Sequence, residues 1–250
     1  ESNYFNRLFN RILHQMIHLM GFHLDLFSQL AQSNGSRYDM LREMDFRVDL
    51  IDPVIRKETS PRPSDYVYSH KALEHTKLSN VAVEYYNCNT NNIRLPLENS
   101  GGPGIAHMHL ESSLFLNELM TALPESLEND DLDKISNDVF ISPFTTTFLY
   151  STGWYKSKYP DNSNQDLHGN KYTYGKGMGC DFLKGNFFSN DKPKFHHFCN
   201  KENTLGCTPN LSGIGKCNYV SDCSTGLCNE NKCNMPSAMH YIFSDRRSAG

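Results

Sequence analysis

Leu13-His14-Gln15-Met16-Ile17-His18-Leu19-Met20-Gly21-Phe22-His23 is the stretch that decides how the rest of this chain is read. Two histidines four apart on a helix share a face, one turn from each other and about 6 Å apart. That spacing suits the first two ligands of a tetrahedral zinc ion. The usual string is H-E-x-x-H, in which the glutamate serves as general base; here Gln15 stands in the glutamate position. Apolar residues at Phe5, Leu8, Phe9, Ile12, Leu13, Met16 and Met20 recur at helical intervals and make one broad stripe. His14 and His18 lie opposite that stripe, beside Arg7 and Arg11. Two such histidines on an amphipathic helix are by themselves ordinary surface residues. Gly21, three residues after His18, changes the reading, because a glycine there permits the left-handed turn that ends a helix and returns the chain beneath a metal.

A third ligand has to come from elsewhere. In proteases with the extended motif it is a histidine three residues past the glycine, a position held here by Leu24, while His23 falls one residue early. The candidate stretch is Gly101-Gly102-Pro103-Gly104-Ile105-Ala106-His107-Met108-His109-Leu110-Glu111, followed by Asn117-Glu118-Leu119-Met120. Together with the helix motif, these residues resemble leishmanolysin, a zinc metallopeptidase family of the metzincin group. That family has a long insertion between its motif glycine and its third histidine, then a glycine-rich approach, a His-Trp-Glu-like step and a Glu-Leu-Met turn. The register matches at His109, Glu111 and Glu118-Leu119-Met120, with Leu110 in the tryptophan position. The resemblance therefore implies one Zn2+ on His14, His18 and His109, with His107 as the alternative third ligand and Met120 on the methionine turn. It extends through Leu95-Pro96-Leu97-Glu98-Asn99, Ile141-Ser142-Pro143-Phe144-Thr145, Ser151-Thr152-Gly153-Trp154-Tyr155 and Tyr174 to Phe182.

The implied fold class is α+β: the active-site helix and C-terminal part of a metzincin-like catalytic domain over residues 1–155, with the long insertion at 25–108, then a cysteine-rich, loop-rich domain over 156–250. The resemblance also places a substrate-holding sheet ahead of the metal helix. No stretch of this chain reads as that sheet, so a further segment or another chain is expected to complete it.

Composition narrows the function classes. The formal charge of -4 over 250 residues, with a pI near 6.3, gives no nucleic-acid signature. No apolar run reaches the roughly 18 residues of a membrane span, and no signal-peptide pattern opens the chain. Within the insertion, prolines 53, 61 and 63 mark irregular chain, and 70–86 reads as a helix with His70 and His75 on its surface. The acidic run at 125–133 reads as a solvated loop.

Seven of the eight cysteines, Cys180, Cys199, Cys207, Cys217, Cys223, Cys228 and Cys233, fall in the last hundred residues, and Cys88 makes the count even. The spacings lack paired C-x-x-C units, so a disulfide framework is expected, with Cys88 tying the insertion to the rest. Asn34 and Asn210 open glycosylation sequons. Both features point to an extracellular or cell-surface setting.

Gln15 has nearly the shape of glutamate but does not accept a proton near neutral pH. The expected function is a leishmanolysin-like metalloendopeptidase homologue, inactive or weakly active, that serves as an extracellular binding or structural protein with a peptide or protein partner. Two rival readings fit the same residues. One is an active endopeptidase in which Gln15 is introduced, or is compensated by Glu111 or Glu118. The other is a cysteine-rich adhesion module with a relic metal site.

Overall fold

The computed structural model of the chain describes residues 2–31, 36–46, 68–98, 104–122, 139–156, 172–185, 187–189, 192–196, 198, 205–207, 214–217 and 241–243. Helix α1 (Ser2–Leu19) carries the motif. It ends as glycine-terminated helices do. Gly21 adopts φ +123°, its N–H donates to the His18 carbonyl at 3.1 Å, and the Phe22 N–H donates to the Ile17 carbonyl at 3.1 Å. Ile17 and Phe22 are both buried, which supplies the hydrophobic contact that accompanies this cap.

The helix sits the other way round from its hydrophobic pattern. His14 and Ile17 face inward, whereas Leu8, Phe9, Ile12 and Met16 of the apolar stripe are exposed and, among its described residues, only Leu13 packs on the core. Periodicity identifies residues that share a face; it does not say which neighbour covers that face. Here the histidine side, with Ile17, faces the interior, where main-chain carbonyls meet the imidazoles.

After a single 3₁₀ turn at Leu24–Leu26, whose N-terminus is capped by His23, the chain enters short strands. Strands β1 (Leu30–Ala31) and β2 (Arg37–Tyr38) form an antiparallel pair. Strands β3 (Leu41–Phe46), β4 (Tyr68–Leu73) and β5 (Leu95–Pro96) form an antiparallel sheet in the order β3-β4-β5. The helix expected over 70–86 is therefore only partly formed. His70 to Leu73 lies in β4, and helix α2 (Thr76–Tyr86) begins after it. Pairing of six residues of β4 with β3 overrides the local helical preference. His75 is not a free surface residue: it caps α2, its side chain accepting the Lys77 N–H. Glu74 at the end of β4 holds Arg42 of β3 at 3.1 Å and Arg94 at 2.5 Å, which brings the segment leading into β5 alongside.

Helix α3 (Ser112–Phe115) follows the stretch that carries His107 and His109, and helix α4 (Pro143–Ser151) starts from a Ser142 cap with Pro143 in its first turn. Helix α5 (Gly179–Leu183), strands β6 (Phe188–Ser189) and β7 (Lys192–Pro193), and a sheet of β8 (Leu205–Cys207), β9 (Ile214–Cys217) and β10 (Tyr241–Phe243) in the order β10-β9-β8 complete the described elements. Helices and short strands together are consistent with the α+β class.

One aromatic-rich core runs through these pieces. Phe22, Phe27 and Phe148 pack edge to face with centroids 4.7–5.6 Å apart. Tyr86 stacks on Phe144 and on Phe182, and Phe187 stacks on Phe198. Tyr172, Tyr174, Phe182, Phe187 and Phe198 belong to the same buried cluster as the α1 and α4 residues. A disulfide joins Cys88, just past α2, to Cys180 in α5 across 92 positions of sequence, so the insertion is tied to the later chain as expected. Cys207 and Cys217 lie on β8 and β9. Cys199, Cys223, Cys228 and Cys233, the sequon residues Asn34 and Asn210, and the acidic run lie outside the described residues.

Candidate metal centre

His14 and His18 come from one face of α1, and His109 comes from the loop that follows Gly104. Three sets of main-chain bonds place that loop. The His109 carbonyl accepts the Glu98 N–H at 2.9 Å, the His107 N–H donates to the Glu98 carbonyl at 2.7 Å, and Leu110 pairs with Leu97 on one side and Thr121 on the other. The Leu110 N–H also donates to the Met120 carbonyl at 2.8 Å, which brings the segment of Met120 alongside that of His109. Met120 itself is fully buried.

The three Nε2 atoms meet. They lie 2.9 Å apart for His14 and His18, 3.1 Å for His14 and His109, and 3.2 Å for His18 and His109. Each ring turns its other nitrogen to a main-chain carbonyl: His14 Nδ1 to Leu119 at 2.6 Å, His18 Nδ1 to Phe22 at 2.6 Å, and His109 Nδ1 to Ile105 at 2.9 Å. A carbonyl only accepts, so each Nδ1 carries the proton and each Nε2 presents a lone pair. Three lone pairs aimed at one point repel one another unless a cation sits between them. Ligand nitrogens at about 2.0–2.1 Å from a tetrahedral zinc ion lie about 3.3 Å from each other. The observed triangle is that size to within a few tenths of an ångström, so this donor set fits one zinc ion.

Burial suits the rings to the same task. His14 and His109 are buried and His18 is half-buried. Loss of solvent, the largest effect, together with the neighbouring rings, brings the pKa of His14 down to about 4, against the lesser opposing pull of the Leu119 carbonyl. Burial lowers the pKa of His18 and His109 too. All three are therefore neutral near pH 7, the form that binds metal.

His107 and His23 stay out of the cluster. His107 takes a left-handed backbone, φ 63°, and His23 Nδ1 accepts the Asp25 N–H at 3.3 Å. Gln15 is exposed, one residue round the helix from His14. Trp154 lies over the turn at Gly21, where an added Cβ would come within 2.6 Å of its ring, and the Tyr155 hydroxyl donates to the Met20 carbonyl at 3.0 Å. Glu118 is fully buried and accepts hydrogen bonds from Met120, Ser142 and Thr145. Those contacts occupy both of its oxygens as acceptors. The orienting carbonyls of Phe22, Ile105 and Leu119 left no mark in the sequence, since every residue type has one.

A sequence profile described as leishmanolysin matches residues 1–241. The chain belongs to the leishmanolysin family. Members of this family are zinc metallopeptidases, and the histidine cluster lies in the matched stretch. Among curated relatives, the leishmanolysin-like peptidases of Caenorhabditis briggsae and Caenorhabditis elegans are each 26% identical over 181 residues, covering 67% of this chain and 24% of the relative. The chain thus spans about a quarter of the length of the curated relatives it matches.

Proposed function

We propose that this chain binds one zinc ion on His14, His18 and His109 and is a leishmanolysin-type metalloendopeptidase unit that hydrolyses peptides weakly or not at all. The observation that carries the zinc reading is the convergence of three Nε2 lone pairs, each aimed by a carbonyl on its Nδ1. Zinc in a three-histidine site supplies Lewis acidity toward a carbonyl and toward water. The proton-handling step then falls to the residue after the first histidine. Gln15 can donate from its amide nitrogen and accept at its amide oxygen, so it can hold a water or a substrate carbonyl in place. It does not take up a proton at neutral pH. The loss of a general base costs about 10²–10⁴ in rate.

The exposed apolar side of α1 supports the expectation that a further segment or a second chain packs on this helix. The Cys88–Cys180 bond supports an extracellular or cell-surface setting, in which the protein acts by binding a peptide or protein partner. Among the described residues no helix is long and apolar enough to cross a membrane.

The test is a quenched-peptide assay on the protein and on Gln15→Glu, each with and without a chelator. Weak or absent cleavage by the Gln15 form, with chelator-sensitive cleavage by Gln15→Glu, is the expected result. Robust chelator-sensitive cleavage by the Gln15 form would overturn the inactive reading. Absence of zinc from the purified protein, after incubation with the metal, would overturn the site.

A further inference from the structure

We propose that Glu118 is the positioning residue of the metal centre: its buried carboxylate fixes the peptide unit whose carbonyl aims His14. The proposal rests on the metal-site reading above. The connection is one peptide long. The Met120 N–H donates to Glu118 Oε2, and the Leu119 carbonyl, which belongs to that same peptide plane, accepts from His14 Nδ1 at 2.6 Å. A peptide unit is planar and rigid, with its N–H and C=O pointing in opposite directions. Anchoring the N–H at one end therefore sets the direction of the carbonyl at the other. Bonds in such a chain also polarise one another in the same sense.

The carboxylate is itself held from the far side. Its Oε1 accepts the Ser142 N–H at 3.1 Å, the Ser142 hydroxyl at 2.9 Å and the Thr145 hydroxyl at 2.5 Å, all from the start of α4. The Leu119 N–H donates to the Phe140 carbonyl at 2.7 Å, which steadies the preceding peptide. Glu118 thus joins the first turn of α4 to the methionine turn, and the methionine turn to the first zinc ligand. Glutamine cannot replace it. Both carboxylate oxygens receive a main-chain N–H, which can only donate, whereas an amide offers one oxygen and one NH₂. In Glu118→Gln one of the two N–H groups must face a second donor.

The experiment measures two quantities at pH 7.5 for the wild type, Glu118→Gln and Thr145→Val. One is zinc affinity, by competition with a chromogenic chelator. The other is the His14 tautomer in the metal-free protein, from imidazole ¹⁵N shifts. Glu118→Gln is expected to bind zinc about 10- to 100-fold more weakly, the usual effect of losing a group that orients a ligand, and to show His14 partly protonated on Nε2. Thr145→Val removes one donor to the carboxylate at constant shape, and a smaller shift in the same direction is expected. Phe182→Leu, a core substitution outside this chain of bonds, should lower stability and leave both readouts unchanged.

Wild-type affinity and an unchanged His14 spectrum in Glu118→Gln would overturn the proposal, as would equal effects from Phe182→Leu. If Glu118→Gln does not fold, Thr145→Val decides, and an unchanged spectrum there overturns it. The tautomer readout needs no metal. Failure of the wild type to take zinc would overturn the metal-site reading, while the spectra would still decide the role of Glu118.

Discussion

Acid should destabilise the metal-free protein through His14 in particular. In the unfolded chain this histidine titrates near 6.5; in the folded protein its pKa is lowered to about 4, chiefly by burial. At pH 7.5 both states hold a neutral ring, and the group makes no difference. As the pH falls below 6.5 the unfolded chain takes up a proton that the folded protein refuses, so folding stability drops. The loss is complete once the pH passes below about 4, where both states are charged. At about 1.4 kcal/mol for each pH unit, the distance from 6.5 to about 4 sets an upper bound of about 3.5 kcal/mol. Urea unfolding of the zinc-free protein, stepped between pH 7.5 and 4, gives the total pH dependence. The same series on His14→Asn isolates the share of this ring, because asparagine retains an N–H for the Leu119 carbonyl but has nothing to titrate. The wild type should lose about 2–3 kcal/mol more than the variant over this window. Parallel curves would refute the account of a buried neutral imidazole. Zinc should add stability at pH 7.5 and lose that addition over the same acid range, since protons and metal compete for the same nitrogens.

Three further substitutions follow from the geometry. Gly21→Ala puts a side chain at φ +123° and 2.6 Å from the Trp154 ring; it should cost about 1–3 kcal/mol in denaturant unfolding and shift the emission of the only tryptophan. Replacing Cys88 and Cys180 together by serine opens a loop of 92 positions, which should lower the unfolding free energy by about 2–5 kcal/mol; unchanged stability would speak against the disulfide. On α1, Ile17→Ala should cost about 2–5 kcal/mol, whereas Ile12→Gln on the exposed side should stay within about 0.5 kcal/mol. The reverse order would mean that the helix is seated on its other face.

The parts of the site that were legible in the sequence are those encoded at short range. His14 and His18 are one helical turn apart, and Gly21 marks the end of that helix, so both could be read from spacing. His109 could not. It reaches the pair from 91 positions beyond His18, through strand pairing and loop bonds that carry no local pattern, and only the resemblance singled it out. Which face of α1 is buried was not legible, because a hydrophobic stripe does not name its partner. The stretch around His70 was misread because its residues favour a helix when considered alone, whereas β3 supplies a strand for them to pair with. Glu118 was visible as a residue of interest, but its role as an acceptor depends on Ser142 and Thr145, which arrive from later in the chain.

All three imidazoles take their aim from carbonyl oxygens of the backbone, and none from a carboxylate or amide side chain. A genetic consequence follows. No single missense change at Phe22, Ile105 or Leu119 deletes the acceptor, because every amino acid brings the same carbonyl. Side chains at Phe22 and Leu119 matter to the core in which they are buried, but not as acceptors for the rings. Selection to preserve such a centre falls instead on the positions that steer the backbone: Gly21 at its positive φ, the capping serine of α4, and the carboxylate at 118. Among variants of matched stability, a mutational scan scored for metal retention should therefore find Phe22, Ile105 and Leu119 more tolerant than these steering positions.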